Sequence, residues 1–209
     1  MVDATALGPE RRVRLSGPER EQQLLDVAEG LFTERGYEGV TLDEIARTAG
    51  VSRPIVYQHH GSKDGIFIAC VRRAREQFER SVIDSLDPAD ADMDSAIRAG
   101  GAPYFELIAA NPRRWALLFT SSASLTGEVA DQLTELRAAT IARIAELARP
   151  FLPELPDHEL TAFAYAISGI GEQLGRWWLQ NRAVPQAQVL DLYCTLVVGA
   201  ARALTGSSS

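Results

Sequence analysis

The chain has 209 residues, 46% of them hydrophobic and 23% charged, and its 28 acidic and 21 basic side chains give a net charge of −7. Such a composition belongs to an ordinary globular protein, one medium domain or a small domain joined to a larger one, and excludes disordered and collagen-like classes. No stretch reads as apolar for long enough to span a membrane, no signal-peptide core opens the chain, and Cys70 and Cys194 have no metal-ligand companions, so a cytoplasmic location without membrane contact is expected.

The acidic balance argues against nucleic acid only on average, because electrostatic fields are local. Residues 1–15 lack periodicity and carry Arg11, Arg12 and Arg14, so they are read as a flexible basic arm with Arg14 as a candidate DNA contact. Ser16-Gly17-Pro18-Glu19 is a capping box with an early proline. It opens a first helix that turns Leu24, Leu25, Ala28, Leu31 and Phe32 inward and ends at Gly36.

The stretch from Thr41 to Gly65 is the organising element of the chain. Leu42, Ile45, Ala46 and Ala49 recur at helical spacing, Thr41 and Glu44 form a second capping box, and Gly50 ends the helix. Ser52 caps the next helix with Pro54 in its first turn, and Gly61 stops it. Ile55 and Val56 turn inward, leaving Arg53, Tyr57 and His59 outside. The pair is a helix-turn-helix whose second helix is short and polar enough to enter a DNA major groove. Arg47, Arg53, Lys63 (the only lysine) and two histidines gather around it. Arginine usage and abundant alanine suggest a GC-rich bacterial genome.

The same stretch resembles the TetR family of bacterial transcriptional regulators. The matching residues are Phe32, Gly36 and Tyr37, then Thr41, Ile45, Ala46 and Ala49-Gly50-Val51-Ser52. They continue through Ile55-Val56-Tyr57, His59-His60, Ser62-Lys63-Asp64 and Ile66-Phe67. His60 stands where the family usually has an aromatic residue, most often Phe, that fills the small unit's core. Taken with the local pattern, the resemblance implies that Thr41, Ser52, Arg53, Pro54, Tyr57, His59 and Lys63 face double-stranded operator DNA. The DNA-binding unit is expected over residues 16–64.

Beyond it every segment reads as helix, so an all-α chain of about nine helices is expected, with residues 65–206 forming a larger ligand-binding and dimerisation domain. A fourth, long helix starts at Lys63, and Asp87-Pro88-Ala89-Asp90 breaks the region after it. A fifth covers about 93–110 and is expected to kink or split at Gly100-Gly101-Ala102-Pro103. Asn111-Pro112 opens a short sixth helix, a seventh covers about 127–148, and Pro150, Pro153 and Pro156 come after it. Irregular helices leave clefts between bundle elements. The kink is expected to open a pocket for a planar or greasy small molecule, with Tyr104, Phe105, Ile108, Trp115, Phe119, Phe163, Gln173 and Trp177 as candidate lining.

The last two helices, about 157–181 and 186–204, are read as the assembly surface. Ala164, Ser168, Gly171 and Gly175 form a stripe of small residues, and the final helix is apolar on nearly two faces, one of them holding Leu192 and Leu196. A homodimer through these six residues is expected, as the resemblance also implies. Gly169-x-Gly171-x-x-x-Gly175 lacks the preceding strand that a phosphate-binding glycine loop needs and is read as close packing. His59 and His60 are adjacent and have no third ligand nearby, so no metal or other cofactor is expected. The implied function is ligand-responsive transcriptional regulation, most often repression. Two other readings stay open: a DNA-binding activator or architectural dimer with no small ligand, and a helical enzyme, which lacks any discernible acid, base or nucleophile set.

Overall fold

Capping chemistry written into the chain fixes where the helices begin. The Ser16 hydroxyl accepts from the Glu19 amide and the Glu19 carboxylate reaches back to the Ser16 amide, opening α1 (Gly17–Arg35). Thr41 and Glu44 repeat the device at α2 (Leu42–Ala49). Gly50 adopts φ 67°, ψ 32°, a left-handed conformation only glycine takes without strain, so the chain turns sharply into α3 (Arg53–His60). Gly61, at φ 71°, ends α3, and Ser62 caps α4 (Lys63–Ser85).

The remaining helices are α5 (Met93–Ala110), α6 (Pro112–Leu118), α7 (Glu128–Ala148), α8 (Asp157–Gln180) and α9 (Gln186–Gly206), with a 3-10 turn at Arg149–Phe151. A computed structural model describes residues 15–86, 92–119 and 127–206. The arm that includes Arg14 and the break at residues 87–90 lie outside the described residues. Within them the protein is all-α, with no strand.

Two cores meet at α4. Leu24, Ala28 and Phe32 of α1, Ile45 of α2 and Val56 of α3 are packed with Ile66, Phe67, Cys70 and Val71 of α4, so the small unit's core continues past residue 64. The rest of the bundle is filled around Phe105, Ile108, Trp115 and Trp178 at one end and Leu152, Leu160, Phe163 and Val197 at the other. Burial inside the first core pushes the Cys70 thiol up to about 12, the behaviour of a packing residue rather than a nucleophile.

Of the two outcomes expected at Gly100–Pro103, the split does not occur: the helix at 93–110 stays in one piece with Pro103 inside it. Contrary to expectation, α9 is, by length and composition alone, apolar enough to cross a membrane; its inner face, Val189, Val197 and Ala201, is fully buried in this bundle instead.

Candidate functional site

The helix-turn-helix presents a polar outer face. Arg53 and Pro54 occupy the first turn of α3, exposed, and Tyr57 stands one turn further along with 61% of its surface open. The Ser52 hydroxyl makes no capping bond and the residue is exposed, so the hydroxyl is not tied to the helix end. Thr41 differs: its hydroxyl donates to Glu44 Oε2 and accepts from the Glu44 amide, both at 3.2 Å. A hydroxyl whose one proton is already committed has nothing further to donate, so Thr41 serves the cap first.

The basic groups rest on acidic neighbours. Arg53 Nη1 lies 3.3 Å from Asp43 Oδ2, both well exposed. Lys63 Nζ sits 4.1 Å above the Tyr37 ring and 3.9 Å from Glu38, while the Tyr37 hydroxyl donates to Asp64. These contacts hold the cations at the rim of the recognition helix and are weak enough in water to be exchanged for phosphates. His59 is partly exposed at the end of α3. His60 beside it turns inward, and its Nε2 is buried without a hydrogen-bond partner. Burial holds its pKa below the usual histidine value against the opposing pull of Glu21, and the charge of His59 lowers it further.

Helix α6 links the two cores. Leu117 is packed into the DNA-binding core, whereas Trp115 belongs to the aromatic group of the larger domain, with its ring centroid 5.4 Å from Phe119 and 6.4 Å from Tyr104. On the side facing α1, Arg114 Nε lies 2.8 Å from Glu29, and Glu29 also takes Arg73 Nη2 at 2.6 Å. The Arg114–Glu29 pair thus joins α6 to α1.

The larger domain contains a cavity of about 180 Å3. Phe78, Val82 and Leu86 line it from the α4 side, Met93, Ile97, Gly100 and Tyr104 from α5, and Thr140, Ile144 and Ala148 from α7. Phe163, Ile167, Ser168 and Gly171 of α8 and Tyr193 and Val197 of α9 also line it, with Phe119 at one end and Leu152 at the other. At about 1.5 Å per residue, the lining from Met93 to Tyr104 extends roughly 16 Å, so the cavity runs along the bundle. Its far end, around Leu86, Met93, Leu152 and Val197, is wholly apolar.

Of the candidate lining residues, Tyr104, Phe119 and Phe163 face this cavity. Phe105, Ile108 and Trp115 do not: all three are buried in the aromatic core behind Tyr104. Gln173 and Trp177 lie on the outer side of α8, Trp177 being 40% exposed. Helical phase explains the error, because Gly171 faces inward and a residue two positions on points elsewhere. Sequence reasoning missed Ile144 and Ala148 on α7, whose i, i+4 spacing with Thr140 was the available signal, and Tyr193 and Val197 on α9.

The small-residue stripe of α8 also differs from expectation. Ala164 is fully buried, Ser168 lines the cavity, and Gly171 lies against Tyr104 and Tyr193. A Cβ on Gly175 would come within 2.8 Å of Ile108 and 3.0 Å of Trp115. These residues let α8 approach α5 and α6 of its own chain. The solvent-facing stripe contains Tyr165 and Trp177 on α8 with Leu192 (41% exposed) and Leu196 (49%) on α9, and Gly169 and Gly199 have open space above them.

Among known proteins, residues 24–70 match the family described as bacterial regulatory proteins, tetR family. Over 175 residues, 83% of this chain and 78% of the other, the sequence is 31% identical to the HTH-type transcriptional activator FasR of Mycolicibacterium smegmatis. The crystal structure of a TetR-like transcriptional regulator from Rhodococcus sp. RHA1 superposes with a TM-score of 0.69 at 25% identity, covering 92% of this chain and all (100%) of that one. The transcriptional regulator FadR from Bacillus subtilis, solved in complex with stearoyl-CoA, superposes with a TM-score of 0.67 at 17% identity, covering 83% of this chain and 97% of that one.

Proposed function

This chain belongs to the TetR family of bacterial regulatory proteins, which are transcriptional regulators and not enzymes, and on that premise we propose that it is a homodimeric operator-binding regulator released from DNA by an elongated apolar molecule. The observation that carries the reading is α6, a seven-residue helix with Trp115 in the core behind the cavity and Leu117 in the core behind the recognition helix.

The proposed mechanism is a linkage. Arg53 and Tyr57 meet bases or the adjacent backbone, while Ser52, Pro54, His59 and Lys63 border the phosphates, Lys63 after leaving Glu38. Two copies joined through the exposed stripe of α8 and α9 set the spacing of their recognition helices. A ligand that spreads Tyr104 and Phe119 displaces Trp115, and Arg114 carries the shift to Glu29 and α1. The ligand and the operator then weaken each other's binding by the same factor. Support for an elongated ligand comes from the length of the cavity and from the stearoyl-CoA bound by FadR. Operator occupancy represses or activates according to where the operator lies relative to the promoter; the name of FasR favours activation as the second reading.

The test of the DNA surface is selection of duplexes from a random pool, followed by anisotropy titration. A two-fold-symmetric site should emerge. Lys63→Ala should weaken all sequences alike and lower the salt slope by about one unit, and Arg53→Ala should cost about 1–3 kcal/mol if it forks onto a guanine. An unchanged footprint and affinity in both variants would refute the assignment.

A further inference from the structure

The walls of the cavity are not uniform, and the asymmetry identifies the chemistry of its ligand. At the far end every lining group is apolar. At the near end, formed by Phe78, Tyr104, Phe119 and Thr140, the wall is backed by charge. Arg75 Nη1 donates to the Thr140 hydroxyl at 3.1 Å, and that hydroxyl can donate to Glu79 at 3.1 Å or to the Leu136 carbonyl at 3.2 Å. A turn away, Glu172, 8% exposed, takes Arg137 and Arg176 at 2.9 Å each. Three guanidinium groups therefore stand behind the lining of this end, with two carboxylates, Glu79 and Glu172, among them. The Tyr104 hydroxyl nearby is buried beside the Trp115 indole N–H, which can donate to it, and has no acceptor for its own proton.

Resting on the cavity reading above, we propose that the effector is an amphipathic anion, its apolar body lying along the cavity toward Met93 and Leu152 and its acidic head at the Thr140 end among Arg75, Arg137 and Arg176. An anion there meets three cations against two carboxylates; the attraction is strongest at the part-buried Arg75 and is screened by water at Arg137 and Arg176, which are 42% and 45% exposed. It also accepts protons from hydroxyls that have no better acceptor: Thr140 can turn from Glu79 to the ligand, and Tyr104 gains an acceptor. The half-buried state of Arg75 points the same way, because burial and then the neighbouring Arg137 lower its pKa, opposed by Glu79 and Glu172, and a bound anion would relieve that stress. A neutral molecule of the same length would fill the tube without compensating anything at this end.

The experiment compares three probes of equal chain length, dodecanoate, methyl dodecanoate and dodecanoyl-CoA, by intrinsic tryptophan fluorescence and calorimetry on the full chain. An anionic probe should bind about tenfold or more tightly than the neutral ester. The leading anion tells a carboxylate head from a phosphate-bearing carrier. Arg137→Gln and Thr140→Val should each weaken that anion severalfold and leave the ester unchanged. If the ester binds as well as both anions, the acidic head is overturned while the cavity stands. If binding of every probe survives Ser168→Phe, which fills the tube, the cavity reading itself fails. If no probe binds the wild-type protein, the proposal is overturned and the DNA-binding reading is untouched.

Discussion

Glu29 is the residue at which the connection between the two cores can be measured as a free energy. Its side chain is 13% exposed and shared by Arg73 at 2.6 Å and Arg114 at 2.8 Å, so one carboxylate ties α1 to both α4 and α6. Glu29→Gln keeps the shape and removes the charge. Breaking one side of a fully buried pair costs roughly 3–5 kcal/mol. Here the cost is lower, because Arg73 keeps Asp26 at 2.6 Å and Arg114 is 30% exposed. The expected loss is about 2–3 kcal/mol, several times the median for an exposed pair. Denaturant unfolding measures it, with Arg114→Ala and the double variant closing a cycle that isolates the pairwise part. Anisotropy with selected operator should show in addition that effector no longer releases DNA fully, since α6 has lost its grip on α1. A stability change below about 0.5 kcal/mol, the range of ordinary surface substitutions, would refute the buried tie, and undiminished release would refute its role in coupling.

Adjacent glycines on α5 should behave oppositely: Gly100→Ala, whose Cβ would lie 3.6 Å from Val82, should stabilise by about 0.5–1 kcal/mol in thermal melts, while Gly101→Ala, 2.9 Å from the Tyr193 ring and 3.1 Å from Leu190, should destabilise by about 1–3 kcal/mol. His60 has a folded pKa depressed below its ordinary 6.5, so above that value it contributes nothing to pH dependence. As pH falls below it, the unfolded chain takes up a proton that the folded chain refuses, and stability declines until the folded pKa is passed. In His60→Phe this component of acid destabilisation should vanish from melts between pH 7 and 5. Leu196→Glu, on the exposed stripe of α9, should convert the dimer to monomer in light scattering at micromolar concentration and lower operator affinity with it; a stable dimer would move the interface elsewhere.

Local chemistry was readable from the chain because it is local. Both capping boxes, the glycine stops at Gly50 and Gly61 and the inward positions Leu24, Ala28, Ile45 and Val56 depend on neighbours within a few residues, and each lies where its spacing indicated. The cavity depended on which face of α8 turned inward. A stripe of small residues such as Ala164, Ser168, Gly171 and Gly175 permits close approach without saying to what, and the partner is Tyr104, Trp115 and Tyr193 of the same chain. The polar end was illegible for a similar reason: Arg75, Thr140 and Glu172 come from three helices spread over nearly a hundred positions, and no spacing rule joins them.

The central claim, that the cavity and the recognition helices are two ends of one equilibrium, is tested most directly by anisotropy of a selected operator duplex. Wild type and Ser168→Phe would be titrated with a panel of elongated acids and their neutral analogues. The account predicts equal operator affinity for the two proteins, with release by effector from wild type alone and over the concentration range that changes its tryptophan fluorescence. Release from both proteins at the same concentrations would contradict it.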